Sequence, residues 1–132
     1  MLSAVPNLLG LGCAKCGTTS LASILSAHPD ISCPRKEMHF FDQGVVTRDS
    51  FQTYISQYKP TRWRLDFTPS YIMDRNARFL IRDWLGTELR FIVILRNPVL
   101  RAYSHYCHAR KNWLPGSKWV EEMGYPVENL SF

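Results

Sequence analysis

Leu8-Leu9-Gly10-Leu11-Gly12-Cys13-Ala14-Lys15-Cys16-Gly17-Thr18-Thr19-Ser20 decides how the chain folds. The stretch begins apolar, as a strand over residues 7 to 12, and ends by opening a helix over Thr18 to Ala27. In that helix Leu21, Ile24 and Leu25 share a face before His28-Pro29 stops it. Between strand and helix lies a short loop with two glycines, hydroxyls and one lysine. Backbone N–H groups at a helix start converge there with Lys15 and the hydroxyls of Thr18, Thr19 and Ser20, the arrangement that holds an anionic group. The same hydroxyls also suit helix capping, which is compatible with anion binding.

Gly12 and Gly17 are separated by four residues, as in the loops that cradle nucleoside triphosphates. Thr18, however, occupies the place of the usual lysine, and Lys15 lies inside the loop. A lysine after the second glycine addresses the outer phosphates of a triphosphate. One inside the loop addresses a shorter 5′ group held by the Gly17-Thr18-Thr19 backbone and hydroxyls.

Strand and helix patterns alternate along the rest of the chain. Ile31 to Cys33 read as a short strand, and Phe51, Tyr54, Ile55 and Tyr58 recur at helical spacing as core residues. Trp63, Leu65 and Phe67 alternate like a strand that Thr68-Pro69-Ser70 stops. Ala77, Leu80, Ile81, Trp84 and Leu85 form a helix face ended by Gly86. Phe91 to Leu95 read as a strand covered on both faces, which implies a parallel sheet, and Asn97-Pro98 launches a helix to about Lys111. A short helix is expected near Lys118 to Met123. The expected fold is α/β, a P-loop-like three-layer arrangement with a central parallel sheet flanked by helices, in a single domain over 1–132.

Two further segments carry chemistry. Arg90-Phe91-Ile92-Val93-Ile94-Leu95-Arg96-Asn97-Pro98 leads into a helix bearing Arg101 and Ser104, and Lys36-Glu37-Met38-His39-Phe40-Phe41-Asp42 follows the short strand. With the first loop, these resemble the sulfotransferase family that uses 3′-phosphoadenosine 5′-phosphosulfate (PAPS), most closely the Golgi heparan-sulfate and carbohydrate enzymes. The resemblance covers residues 8 to 106. It implies that Lys15, Cys16, Gly17, Thr18, Thr19 and Ser20 hold the 5′-phosphosulfate, and that Arg96 and Ser104 hold the 3′-phosphate. It further implies that Glu37 is the base taking the acceptor's proton, with Lys36, His39 and Asp42 at the acceptor pocket. Lys15 would neutralise charge as the sulfuryl group leaves, and His39 would orient or share the proton. The reaction implied is sulfuryl transfer to a hydroxyl or amine, most simply of a carbohydrate, with no metal.

Leu65-Asp66-Phe67-Thr68-Pro69-Ser70-Tyr71 resembles the family's Thr/Ser-Pro-x-Tyr stretch, with Phe67 where heparan-type enzymes usually carry a lysine. The chain also ends ahead of the family's downstream Lys-Gly-Arg-type loop. It is therefore expected to be C-terminally incomplete, cytoplasmic if whole and luminal in the Golgi if a piece of an anchored parent.

A net charge of +5 over 132 residues suits a polyanionic donor or acceptor. Lys and Arg are scattered and no zinc-finger or helix-turn-helix pattern occurs, so nucleic acid is not an expected partner. No run approaches the roughly 20 apolar residues of a membrane span. Cys13-x-x-Cys16 also fits a redox pair or half a zinc site, with Cys33 and Cys107 elsewhere. Two other readings remain open. One is a P-loop nucleoside triphosphatase or kinase, with Asp66 as the Mg²⁺ ligand. The other is a non-catalytic remnant that binds the desulfated nucleotide without transfer.

Overall fold

A computed structural model describes residues 5–112, with side chains described to residue 108. The chain divides into two units, Met1–Arg96 and Asn97–Phe132. In the first, β1 (Leu8–Gly12), α1 (Thr18–Ser26), β2 (Ile31–Ser32), α2 (Arg48–Ser56), β3 (Trp63–Phe67), α3 (Arg75–Leu85) and β4 (Arg90–Ile94) follow one another, with a 3₁₀ turn at Pro69–Ile72 after β3. In the second, α4 (Pro98–Asn112) starts where Asn97 Oδ1 accepts the amides of Val99 at 3.0 Å and Leu100 at 3.3 Å. The expected helix at Lys118 to Met123 lies outside the described residues.

The four strands are parallel in the order β2-β3-β1-β4. β1 is central, with Gly10 paired to Phe67 of β3 and to Ile92 of β4. The chain leaves β1 toward the β2/β3 side and later crosses to β4 on the other, so the loop after β1 sits at the point where the sheet's direction of growth reverses. Ligands of open parallel sheets bind at such a point, outside the carboxyl ends of the strands.

Alternation along β1 and β3 builds two cores. Leu8, Leu65 and Phe67 face α1, where Ala22 is buried and Leu21 and Leu25 pack against them. Leu9 faces the opposite side and joins Phe51 and Tyr54 of α2, Ala77 and Ile81 of α3, and Met38, Phe41 and Tyr71. Helices therefore cover the sheet on both sides, as the α/β layer reading expected. The aromatic stripe of α2 and the turn after it is core, as its spacing indicated: Phe51, Tyr54 and Tyr58 are all buried. Thr47 starts α2 with a reciprocal capping box, its Oγ1 accepting the Ser50 amide at 3.2 Å while Ser50 Oγ accepts the Thr47 amide at 3.0 Å. Asp74 starts α3 by accepting the Ala77 amide at 2.9 Å.

Two expectations are corrected. Ile24 is 70% exposed and is not part of the α1 packing face, which centres instead on Ala22. β4 is not covered on both faces: Phe91 is 55% and Val93 49% exposed, and Leu95, just past its end, is 71% exposed. Among the described residues β4 is the edge strand, hydrogen-bonded to β1 alone. The nearby core centres on β1 and β3, so an unbroken apolar run there marks a strand without marking burial.

Candidate functional site

The loop after β1 is built by close approach and left-handed backbone. An added Cβ at Gly12 would stand 3.0 Å from the Ile94 side chain, and the Cys13 amide reaches the Ile94 carbonyl at 3.5 Å, so the loop leaves the sheet pressed against β4. Lys15 (φ 69°) and Gly17 (φ 92°) are both left-handed. This curls the backbone around the start of α1, the form of anion-binding concavities. Gly17 is the N-cap and has no side chain to cap with. Thr18, Thr19 and Ser20 therefore do not cap α1 as their position allowed. Thr18 is buried and Thr19 and Ser20 are exposed. First-turn amides without a side-chain cap, at the positive end of a helix dipole, favour an anion. Arg96, just past β4, donates from Nη1 to the Lys15 carbonyl at 3.2 Å, which brings this exposed guanidinium to the same loop.

The second cluster sits beside it at the same sheet edge. The Glu37 amide donates to the carbonyl of Phe67, the last residue of β3, at 2.9 Å. Glu37 (φ 59°) and His39 (φ 51°) are left-handed although neither is glycine. Strained non-glycine residues of this kind gather at functional sites. The turn brings three sequence-predicted side chains together around Glu37. Lys36 Nζ pairs with Glu37 Oε1, His39 Nε2 lies 3.4 Å from Glu37 Oε2, and His39 Nδ1 lies 2.8 Å from Asp42 Oδ2. Burial pushes the Glu37 carboxyl up, but Lys36 and then His39 outweigh it and hold the group below its ordinary value. Glu37 is thus a carboxylate at neutral pH and able to accept a proton. Asp42 Oδ2 also accepts from Ser70 Oγ at 2.5 Å, while its Oδ1 is buried with no hydrogen-bond partner among the described residues.

Sequence reasoning missed Ser70 as a member of this cluster and gave no role to the hydroxyls of Thr68 and Tyr71. The signal was the turn after β3, whose 3₁₀ geometry sends Ser70 and Tyr71 back toward the 36–42 segment. Ser104 lies on α4, in the second unit, and is described there alone. Asp66 is fully buried and accepts from Tyr54, Tyr71 and Thr68, so it is not placed as a Mg²⁺ ligand at a phosphate site. Phe67 is also fully buried, its ring filling the space over Gly10. All four cysteines are unpaired, and Cys16 is buried. Among the described residues no three His, Cys, Asp or Glu side chains group as a metal ion would require, and no helix is long and apolar enough to cross a membrane.

A parallel sheet with a left-handed loop and an uncapped helix start at its switch point, and a carboxylate cluster on the adjoining strand end, defines a P-loop-like α/β architecture. No family model matches the chain. It is 32% identical over 105 residues to human heparan sulfate glucosamine 3-O-sulfotransferase 6, a match covering 76% of this chain and 30% of that protein. Mouse heparan sulfate glucosamine 3-O-sulfotransferase 5 is 23% identical over 134 residues, covering 99% of this chain and 37% of that protein. A crystal structure of a sulfotransferase from Alicyclobacillus acidocaldarius superposes with a TM-score of 0.69 at 27% identity, covering 90% of this chain and 56% of that one. The chain belongs to the sulfotransferase family, and it spans about a third of the length of these curated relatives.

Proposed function

We propose that this chain carries the donor site and the catalytic base of a PAPS-dependent sulfotransferase acting on a hydroxyl or amine, with a carbohydrate as acceptor. The observation that carries the reading is the convergence, at the carboxyl ends of β3, β1 and β4, of the uncapped α1 start, Arg96 and Glu37. The loop of Lys15, Cys16, Gly17, Thr18, Thr19 and Ser20 binds the 5′-phosphosulfate, and Arg96 binds the 3′-phosphate with its planar fork. The assignment of Ser104 to the same phosphate rests on its sequence motif alone. Lys36 and Asp42 serve the acceptor, and the buried, unpartnered Asp42 Oδ1 supports that role.

In the reaction, Glu37 takes the proton from the acceptor as its oxygen or nitrogen bonds to sulfur. The bond from sulfur to the bridging phosphate oxygen breaks, and the pair of electrons leaves with 3′-phosphoadenosine 5′-phosphate. Lys15 and the α1 amides stabilise the charge that develops on that phosphate. His39, held through Nδ1 by Asp42, presents Nε2 to Glu37 and orients the carboxylate. The hydroxyl latches on Asp66 and the displaced lysine both weigh against the triphosphatase reading.

The test is transfer of labelled sulfur from PAPS to a panel of glycan acceptors by the wild-type chain and Glu37→Gln. Transfer by the wild type, reduced about a hundredfold or more in Glu37→Gln, supports the assignment. Equal rates in the two remove Glu37 from the mechanism. Donor binding without transfer by the wild type leaves the non-catalytic reading in its place.

A further inference from the structure

Asp66 is fully buried, and its hydrogen-bond partners among the described residues are three hydroxyls: Tyr54 at 2.7 Å and Tyr71 at 3.1 Å on Oδ2, and Thr68 at 2.7 Å on Oδ1. A carboxylate only accepts, so all three O–H groups point at it and their lone pairs turn away. Two of the hydroxyls then meet amides of the catalytic segment. Tyr71 Oη accepts from Phe40 at 2.9 Å and Phe41 at 3.3 Å, and Thr68 Oγ1 accepts from His39 at 3.4 Å. Three successive backbone donors therefore end on hydroxyls whose direction one buried carboxylate sets.

The segment needs such restraint, because Glu37 and His39 are left-handed without being glycine. Tyr54 differs from Tyr71 in a useful way. Its hydroxyl binds Asp66 and accepts from Tyr58 at 3.3 Å, and its ring stacks on Phe40 at 4.2 Å. Among the described residues no hydrogen bond joins its hydroxyl to the segment's backbone.

We infer that Asp66, through the hydroxyls of Tyr71 and Thr68, latches residues 39–41 and thereby positions Glu37 for proton transfer. Asp66, Tyr71 and Thr68 are thus positioning residues. The inference rests on the sulfuryl-transfer reading for the role of Glu37, while the latch itself is a property of the fold.

The experiment compares the full chain with Tyr71→Phe and Tyr54→Phe, each of which removes one hydroxyl from Asp66 and keeps the ring. Amide hydrogen exchange is the first readout. In Tyr71→Phe the Phe40 and Phe41 amides exchange about tenfold faster or more relative to those of β1 and β3, and in Tyr54→Phe they keep the wild-type ratio. The second readout is PAPS turnover. Tyr71→Phe lowers kcat about ten- to hundredfold with KM for PAPS unchanged, and Tyr54→Phe retains kcat. Equal exchange ratios in the two variants, or full kcat in Tyr71→Phe, overturns the latch. If the wild type shows no transfer, the sulfuryl-transfer reading fails and the exchange ratio alone decides the latch. Should Tyr71→Phe not fold, Thr68→Val carries the same readouts at the His39 amide, and Thr68→Ser restores them.

Discussion

A methyl group added at Gly10 would stand 2.4 Å from Cγ of Phe67 and 2.5 and 2.6 Å from the two Cδ atoms. Gly10 is not in the left-handed region, so the cost of Gly10→Ala comes from space and not from backbone conformation. The nearest atoms are the root of the ring, which cannot swing aside as the tip of a long side chain would. Phe67 is itself fully buried, and the two residues are register partners in β1 and β3. The strands must separate locally or the ring must leave its rotamer, an overpacking cost of about 1–3 kcal/mol. For a chain of this size that lowers the melting midpoint by roughly 3–15 °C. Because the Phe67 carbonyl holds the Glu37 amide, the displacement also reaches the base. Urea unfolding followed by tryptophan fluorescence measures the loss, and Phe67→Ala, which removes Cγ and both Cδ atoms, supplies the second arm of a double-mutant cycle. With the ring gone, Gly10→Ala should cost on the order of 0.5 kcal/mol or less, a coupling of about 1 kcal/mol or more. An unchanged urea midpoint in Gly10→Ala, or a strictly additive cycle, refutes the packing argument.

Removing Lys36 raises the Glu37 pKa, since Lys36 is the chief group holding it down against burial. The base works only as a carboxylate, so the acid limb of kcat in Lys36→Ala lies at higher pH than in wild type; a pH–rate profile reads the shift. In stability the same depressed carboxyl contributes above its ordinary value of 4.5, and that contribution is lost as pH falls through the folded value. Acid unfolding of wild type against Glu37→Gln checks the direction. Thr47→Ala removes one half of the α2 capping box and should cost about 1 kcal/mol by urea unfolding, with donor binding unchanged.

Local signals were legible where a residue's neighbours in sequence are also its neighbours in space. The succession of β1, loop and α1, the aromatic stripe at 51–58 and the apolar face of α3 all read correctly for that reason. Asp66 did not: it was named only as the Mg²⁺ ligand of the triphosphatase reading, and the alternation of Trp63, Leu65 and Phe67 marks a strand without saying where its polar residues find partners. β3 is buried on both sides, and its polar residues are satisfied at a distance. Arg64 donates to the Val5 and Thr61 carbonyls, each at 2.6 Å, and Asp66 accepts from tyrosines on α2 and in the 3₁₀ turn. The run Phe91 to Leu95 was legible as a strand but not as an edge, since neighbour count is a tertiary property. Glu37, His39 and Asp42 were named from their motif, yet the left-handed turn that gathers them carries no glycine to announce it.

The donor site is the centre of the account, and calorimetric titration tests it most directly, with 3′-phosphoadenosine 5′-phosphate, ADP, and ATP with Mg²⁺ as ligands. The 3′-phosphorylated nucleotide should bind about ten- to hundredfold more tightly than ADP, and Arg96→Ala should abolish that margin, as expected when a charged hydrogen-bonding partner is removed. Tighter binding of ATP with Mg²⁺, or a preference for the 3′-phosphate that survives Arg96→Ala, would contradict it.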